Sequence, residues 1–261
     1  MTRVPRADAG PASHTIGVLG LQGDVREHLA ALHELGVSGR VLRRGSELAD
    51  LDGLIIPGGE STTLSLLLRS SGVLEPLRDR LVAGMPTLGT CAGLVLLATQ
   101  VLDGRPDQVH LDAIDCTVRR NAYGRQAQSF ETTLDATRID ELLSRLPAGA
   151  SGDEAGGVGG WGELPAVFIR APVIERIGRG VEVLAEAPSG PSGDAPVVPA
   201  VARQGNVLVA SFHPELTADR RVHRLLVAMV RGELPGPVPD GPDADGPGGD
   251  AGEPVAARTG R

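Results

Sequence analysis

At 261 residues the chain is long enough for one sizeable α/β domain. Its net charge of -8 is uneven, since from Glu233 onward six acidic residues face two arginines and the remainder is only mildly acidic. One Trp, one Tyr and three Phe, with no basic stripe between them, argue against nucleic acid as a partner. Two cysteines without metal-ligand spacing exclude a disulfide framework and a structural metal site, and a chain with neither an apolar leader nor a membrane-length apolar run is expected to be soluble in a reducing cytoplasm.

Residues 1–13 are polar and carry Pro5, Gly10 and Pro11, which predicts a disordered leader ahead of a domain spanning 14–232. Thr15 to Gly20 is a short apolar run suited to a strand buried on both faces. Asp24 then stands where a helix cap is needed, before Val25, Leu29, Leu32 and Leu35 on one helical face. Gly36 ends that helix, Arg40 to Arg43 predicts a second strand, and Gly53 to Ile56 predicts a third, stopped by Pro57-Gly58-Gly59. Ser61 is the expected cap of a helix from Thr62 to Arg69, and a further helix is expected from Leu74 to Ala83. Pro86 to Thr90 is the next strand, followed by Cys91-Ala92-Gly93 and an apolar helix from Leu94 to Thr99. Strands alternating with helices predict a mainly parallel sheet covered on both faces, with ligands beyond the carboxyl ends of its strands.

From Ile114 the pattern changes to strand-like pieces without long helices: 114–119, 128–134, 166–170, 181–185, 197–203 and 206–212. An antiparallel or mixed region is expected there. A last helix from Ala218 to Arg231 places Val222, Leu225, Leu226 and Met229 at helical spacing. Gly/Pro/Ser-rich stretches at 148–162 and 188–196 predict surface insertions, and 233–261 predicts a disordered acidic tail.

Cys91 sits where a buried strand turns into a helix among Gly89, Ala92 and Gly93, which is the logic of a nucleophile elbow. A cysteine among apolar residues is equally a small buried hydrophobe, so the elbow alone leaves both readings open. Cys116 alternates with polar residues beside Ile114 and Val118 and reads as structural. A thiol nucleophile needs a base and an orienting group, and His213-Pro214-Glu215 supplies both at the end of the strand 207–212. Pro214 keeps His213 out of the helical region, so an extended backbone would point His213 and Glu215 the same way. His110-Leu111-Asp112 has the same spacing but follows a polar loop with no strand to aim it. His14, His28, His33 and His223 read as solvated or packing histidines. Pro57-Gly58-Gly59-Glu60-Ser61 suits either an oxyanion hole or an ordinary tight turn, and it lacks the ending of a Walker A loop.

Taken together, Pro57-Gly58-Gly59-Glu60-Ser61-Thr62-Thr63, Gly89-Thr90-Cys91-Ala92-Gly93-Leu94 and Phe212-His213-Pro214-Glu215-Leu216 resemble the signatures of class I triad glutamine amidotransferases. Gly20-Leu21-Gln22-Gly23-Asp24-Val25-Arg26-Glu27-His28, Arg120-Asn121-Ala122-Tyr123-Gly124-Arg125-Gln126 and Phe168-Ile169-Arg170-Ala171-Pro172 narrow the resemblance to the glutaminase subunits of pyridoxal 5'-phosphate synthase. That resemblance covers roughly Thr15 to Arg231. It implies a flavodoxin-like fold that hydrolyses L-glutamine and passes the ammonia to a separate (β/α)₈ synthase subunit, with no cofactor and no metal of its own. It further implies Cys91 as nucleophile, His213 as base and Glu215 as orienter. Gly59, Glu60, Ser61, Arg120, Ile169 and Arg170 would contact glutamine, the N–H groups of Gly59 and Ala92 would form the oxyanion hole, and Gln22 is a candidate for gating. A peptidase or deglycase on the same architecture is the competing expectation.

Overall fold

The computed structural model describes residues 14–120, 129–147, 160–190 and 195–234. The expected leader, most of the 148–162 insertion, part of the 188–196 insertion, Asn121 to Gln126 and the tail after 234 lie outside the described residues.

The first half alternates β1 (Thr15–Leu19), α1 (Val25–Glu34), β2 (Ser38–Leu42), β3 (Gly53–Ile56), α2 (Ser61–Ser70), α3 (Leu74–Val82), β4 (Thr87–Thr90) and α4 (Ala92–Leu97). The second half adds β5 (Ala98–Leu102), β6 (Ile114–Arg119), β7 (Phe130–Asp135), α5 (Thr137–Ser144), β8 (Glu163–Phe168), β9 (Val173–Ile177), β10 (Glu182–Pro188), β11 (Val197–Gln204), β12 (Val207–Ala210) and α6 (Arg221–Val230).

A central sheet runs in the order β10-β11-β12-β4-β3-β1-β2. The pairs β1–β2, β1–β3, β3–β4 and β4–β12 are parallel, while β10–β11 and β11–β12 are antiparallel. The expected mixed, mainly parallel sheet is therefore present. The inner strands β1, β3 and β12 read as apolar runs because both faces are covered there. Ile16, Val18, Ile55 and Leu208 join Leu32 of α1, Leu142 of α5 and Leu226 of α6 in one core, and Leu54, Ile56, Val207 and Val209 join Leu64 of α2, Leu77 of α3 and Leu96 of α4 in another. Period-two alternation thus sends neighbouring side chains into opposite cores. Because β1, β3, β4 and β12 share one direction, their carboxyl ends open on the same edge.

Several expectations need correction. The apolar run after Cys91 ends its helix at Leu97 and becomes β5, which pairs with β6. Leu111 and Ala113 donate to the carbonyls of Leu96 and Leu97, so the loop takes the groups that a further helical turn would have used. The region after Ile114 also contains α5, where Ile139, Leu142 and Leu143 are buried at helical spacing and Asp135 accepts from the Thr137 N–H. β9 has no counterpart among the expected strands, and it pairs antiparallel with β6 in a three-stranded sheet beside the main one. The β7–β8 hairpin forms a third sheet.

Two expected caps also differ. Glu60, and not Ser61, caps α2: its backbone is extended and its carboxylate accepts from the N–H groups of Thr62 and Thr63, leaving Ser61 as the first helical residue. Asp24 stands at the N-cap position of α1 without a side-chain cap bond, because its carboxylate faces His213. Finally, Pro214–Leu216 is a 3₁₀ turn and not extended chain, so Glu215 reaches His213 by the tight turn that Pro214 opens.

Candidate active site

Four strand ends converge on one cleft of about 340 Å³. Gln22, Gly23 and Asp24 enter it after β1, Gly59, Glu60 and Ser61 after β3, Cys91 and Ala92 after β4, and His213 after β12. Arg120, after β6, and Ile169, Arg170 and Pro172, between β8 and β9, close the remaining side. Every site residue expected from the resemblance lines this space except Glu215, whose side chain is fully buried behind His213.

Cys91 has φ 48° and ψ -103°, a strained conformation at a strand-to-helix turn. The strain is held by packing: the Cys91 N–H donates to the Ala210 carbonyl at 2.9 Å, and a Cβ at Gly93 would overlap the Ile56 carbonyl oxygen. The thiol donates to the Ile169 carbonyl oxygen at 4.0 Å and shares the cleft with the His213 imidazole. A Cβ at Gly58 would overlap the Cε1 of His213, so only glycine lets the imidazole sit against the loop. The Gly58 N–H donates to Thr90 Oγ1 at 3.1 Å, tying the loop after β3 to the end of β4.

His213 Nδ1 stands 2.8 Å from Glu215 Oε1 and 3.4 Å from Asp24 Oδ2. Burial pushes the imidazole down, but hydrogen bonds to Asp24, Cys91 and Glu215 outweigh it and raise His213 to about 12. The same hydrogen bond draws Asp24 below the usual carboxylate range, against its partial burial. Nδ1 therefore faces the carboxylates and Nε2 is left for the sulfur. Asp24, His213 and Glu215 bring three ligand atoms within 4.8 Å of one another, but the histidine nitrogen among them already engages Glu215, so the arrangement serves the imidazole first.

The other end of the cleft is a charged clamp. Arg120 donates to Glu60 Oε1, to Thr62 Oγ1 and to Gln108 Oε1, each at 3.2 Å. Partial burial works against the Glu60 carboxylate, but the hydrogen bonds from Thr62 and Thr63 prevail and hold it at about 2. Gln108 also donates to Ser65 Oγ and to the Ser61 carbonyl. The clamp presents fixed charges of both signs to a small zwitterion.

Sequence reasoning placed the triad candidates and the clamp but missed Gln108, the Asp24 contact, and Thr90, His28 and His223 behind the cleft. His28 does share the Val25, Leu29 and Leu32 stripe, which marks it as inward-facing. The rival His110 does not line the cleft, and its carbonyl accepts from Arg78. Cys116 is fully buried within β6, where burial pushes its thiol up to about 12.

Residues 18–232 match the model of the SNO glutamine amidotransferase family. The chain belongs to this family. A pyridoxal 5'-phosphate synthase subunit PdxT of Nocardia farcinica is 53% identical over 223 residues, covering 85% of this chain and 88% of that protein. The protein of the same name from Mycobacteroides abscessus is 52% identical, covering 84% of this chain and 98% of its own length. A crystal structure described as a glutamine amidotransferase superposes with a TM-score of 0.67 at 41% identity, over 83% of this chain and 98% of that one. The PurLQS structure from Thermotoga maritima shares the fold alone, with a TM-score of 0.52 at 15% identity over 84% of this chain and 96% of that one. Among the described residues no helix is long and apolar enough to cross a membrane.

Proposed function

We propose that this chain is the glutaminase subunit of a pyridoxal 5'-phosphate synthase, hydrolysing L-glutamine to L-glutamate and ammonia through Cys91, His213 and Glu215. The observation that carries the reading is the Cys91–His213–Glu215 line, at the mouth of a cleft whose far wall is the Glu60–Arg120 clamp. Membership of the family and relatives named as PdxT supply the substrate class.

In this mechanism Glu60, Ser61, Arg120, Ile169 and Arg170 hold the amino acid end of glutamine, and its side-chain amide reaches Cys91. His213, raised to about 12, already carries its proton, so the Cys91 sulfur attacks the amide carbon as the thiolate. The N–H groups of Gly59 and Ala92 receive the oxyanion, each contributing on the order of 3 kcal/mol. Collapse of the adduct breaks the C–N bond, His213 protonates the leaving nitrogen, and ammonia departs from a Cys91 thioester. Water then gives its proton to His213 and attacks the thioester, releasing glutamate and restoring the thiolate beside the protonated imidazole. Glu215 keeps the tautomer that makes both transfers possible.

The ammonia goes to a (β/α)₈ synthase subunit docked on the strand-end edge, and a reducing cytoplasm suits the free thiol. Gln22 gates the step: its Oε1 accepts from the Glu60 N–H at 3.3 Å, so it touches the loop that carries Gly59. Docking selects the loop orientation that completes the oxyanion hole, and the isolated chain is a poor glutaminase. A peptidase or deglycase is not favoured, since the clamp is built for a small zwitterion and the family is one of amidotransferases.

The test is glutamate release from glutamine with and without a saturating synthase subunit, for the native chain and for Gln22→Ala. Release that rises on addition of the subunit supports the reading. No release from glutamine under either condition overturns it, and unchanged activation in Gln22→Ala removes Gln22 from the gate.

A further inference from the structure

Two histidines stand behind the triad in a space that solvent does not reach. His28 on α1 and His223 on α6 are both fully buried, and His28 Nδ1 lies 3.0 Å from His223 Nε2. His28 Nε2 lies 3.3 Å from Thr90 Oγ1 and 3.5 Å from Glu215 Oε2. Among the described residues, Glu215 Oε2 and His223 Nδ1 have no hydrogen-bond partner, and the nearest donor position to Glu215 Oε2 is His28 Nε2. The orienting carboxylate therefore has one oxygen on His213 and the other aimed at His28.

The proton arrangement follows from elimination. Burial pushes His28 well below its ordinary range, with His223, His213 and Arg220 adding to it, and burial with Arg220 takes His223 down to about 3 against a small opposing pull from Glu34. Both rings are neutral, so each carries one N–H. If His28 carried it on Nδ1, its Nε2 lone pair would face Glu215 Oε2, and that buried carboxylate oxygen would be left without a donor. The opposite arrangement puts the N–H of His223 Nε2 on His28 Nδ1 and the N–H of His28 Nε2 between Glu215 and Thr90. Thr90 in turn accepts from Gly58 N–H, so Thr90 links the same ring to the loop of the oxyanion site.

We propose that His28, oriented by His223, is a positioning residue that supplies the Nε2–H donor to the second oxygen of Glu215 and so holds the His213 imidazole from behind. It rests on the reading of Cys91, His213 and Glu215 as the triad. Without His28 the carboxylate keeps its bond to His213 but can rotate about its own axis, so the base loses alignment in the transition state more than glutamine loses binding.

The first measurement uses the native chain, with histidine labelled by ¹⁵N, and reads the tautomer of each ring from its nitrogen shifts. The expected result is Nε2–H for both His28 and His223 near neutral pH; His28 protonated on Nδ1 overturns the proposal whether or not the chain hydrolyses glutamine. The second is steady-state glutamate release in the complex with the synthase subunit. His28→Phe should lower kcat about 10-fold with KM little changed, as loss of one hydrogen bond to a charged group implies. His28→Gln, whose amide nitrogen reaches the place of Nε2, should recover most of the loss. An unchanged kcat in folded His28→Phe overturns the proposal, as does equal loss in both variants. No release from the native complex would instead count against the glutaminase reading.

Discussion

The two cysteines of this chain are almost equally hidden, Cys91 being 5% exposed and Cys116 0%, yet their surroundings differ completely. Cys116 lies inside β6, flanked by ladder partners, and burial pushes its thiol up to about 12. Cys91 lies one residue beyond the end of β4, where the strand stops pairing and the chain must turn. There the backbone is strained, glycine neighbours allow close approach, and His213 arrives from the adjacent strand. Burial therefore does not distinguish a structural thiol from a reactive one. Position at the strand end does, because only there do separate chain segments converge with their side chains free of the ladder.

The sharpest way to break that comparison is to exchange the two sites. Cys91→Ser should lower glutamate release by about 10⁴-fold or more, as removal of a nucleophile that works as a unit with its base does. Cys116→Ala should leave kcat unchanged and cost about 1 kcal/mol of stability. A glutamine-mimicking electrophile should label Cys91 alone, as peptide mapping would show. Label found mainly on Cys116 would reverse the assignment.

The glycines around the elbow sharpen the same contrast. Gly93→Ala places a Cβ against the backbone carbonyl of Ile56, which cannot step aside, and should cost about 1–3 kcal/mol in urea unfolding. Gly58→Ala places its Cβ against the His213 ring, which can swing away, and should lower kcat with a smaller shift in Tm. Equal losses of stability in the two variants would show that the ring is as rigidly held as the strand.

The smallest effect belongs to the far wall of the cleft. Glu60 has its folded carboxyl at about 2, against an ordinary 4.5, so its contribution is complete above about pH 4.5 and is lost as pH falls toward 2. Glu60→Gln should therefore lower stability by about 1 kcal/mol at pH 7, as loss of a helix cap does, and the gap from the native chain should close as the pH is lowered through that window. Thermal unfolding at a series of pH values reads it; a gap that widens on acidification would remove the cap from the account.

What was legible in the sequence was what short-range stereochemistry dictates. Pro57-Gly58-Gly59 has to end a strand, Gly89 to Gly93 permits a strained elbow, and Pro214 opens a turn that brings Glu215 back to His213, whatever the rest of the chain does. Apolar runs of strand length predicted a covered parallel sheet, and parallel strands put three motifs on one edge. The same local logic misjudged α4 and β5, since an apolar run buried on every side has no period to read, and it overlooked α5 among strand-like pieces.

It also assigned the caps by residue type. Ser61 is a common cap residue, but Glu60 takes the position because Arg120, 60 residues away, binds the same carboxylate. Asp24 is likewise drawn from α1 to His213 by a partner from the other end of the chain. The pairing of His28 with His223 spans 195 residues and leaves no local mark beyond an apolar stripe on each helix. Such contacts are settled only when the sheet order brings α1 and α6 onto one face, because a buried polar group takes whichever partner the packed core leaves within reach.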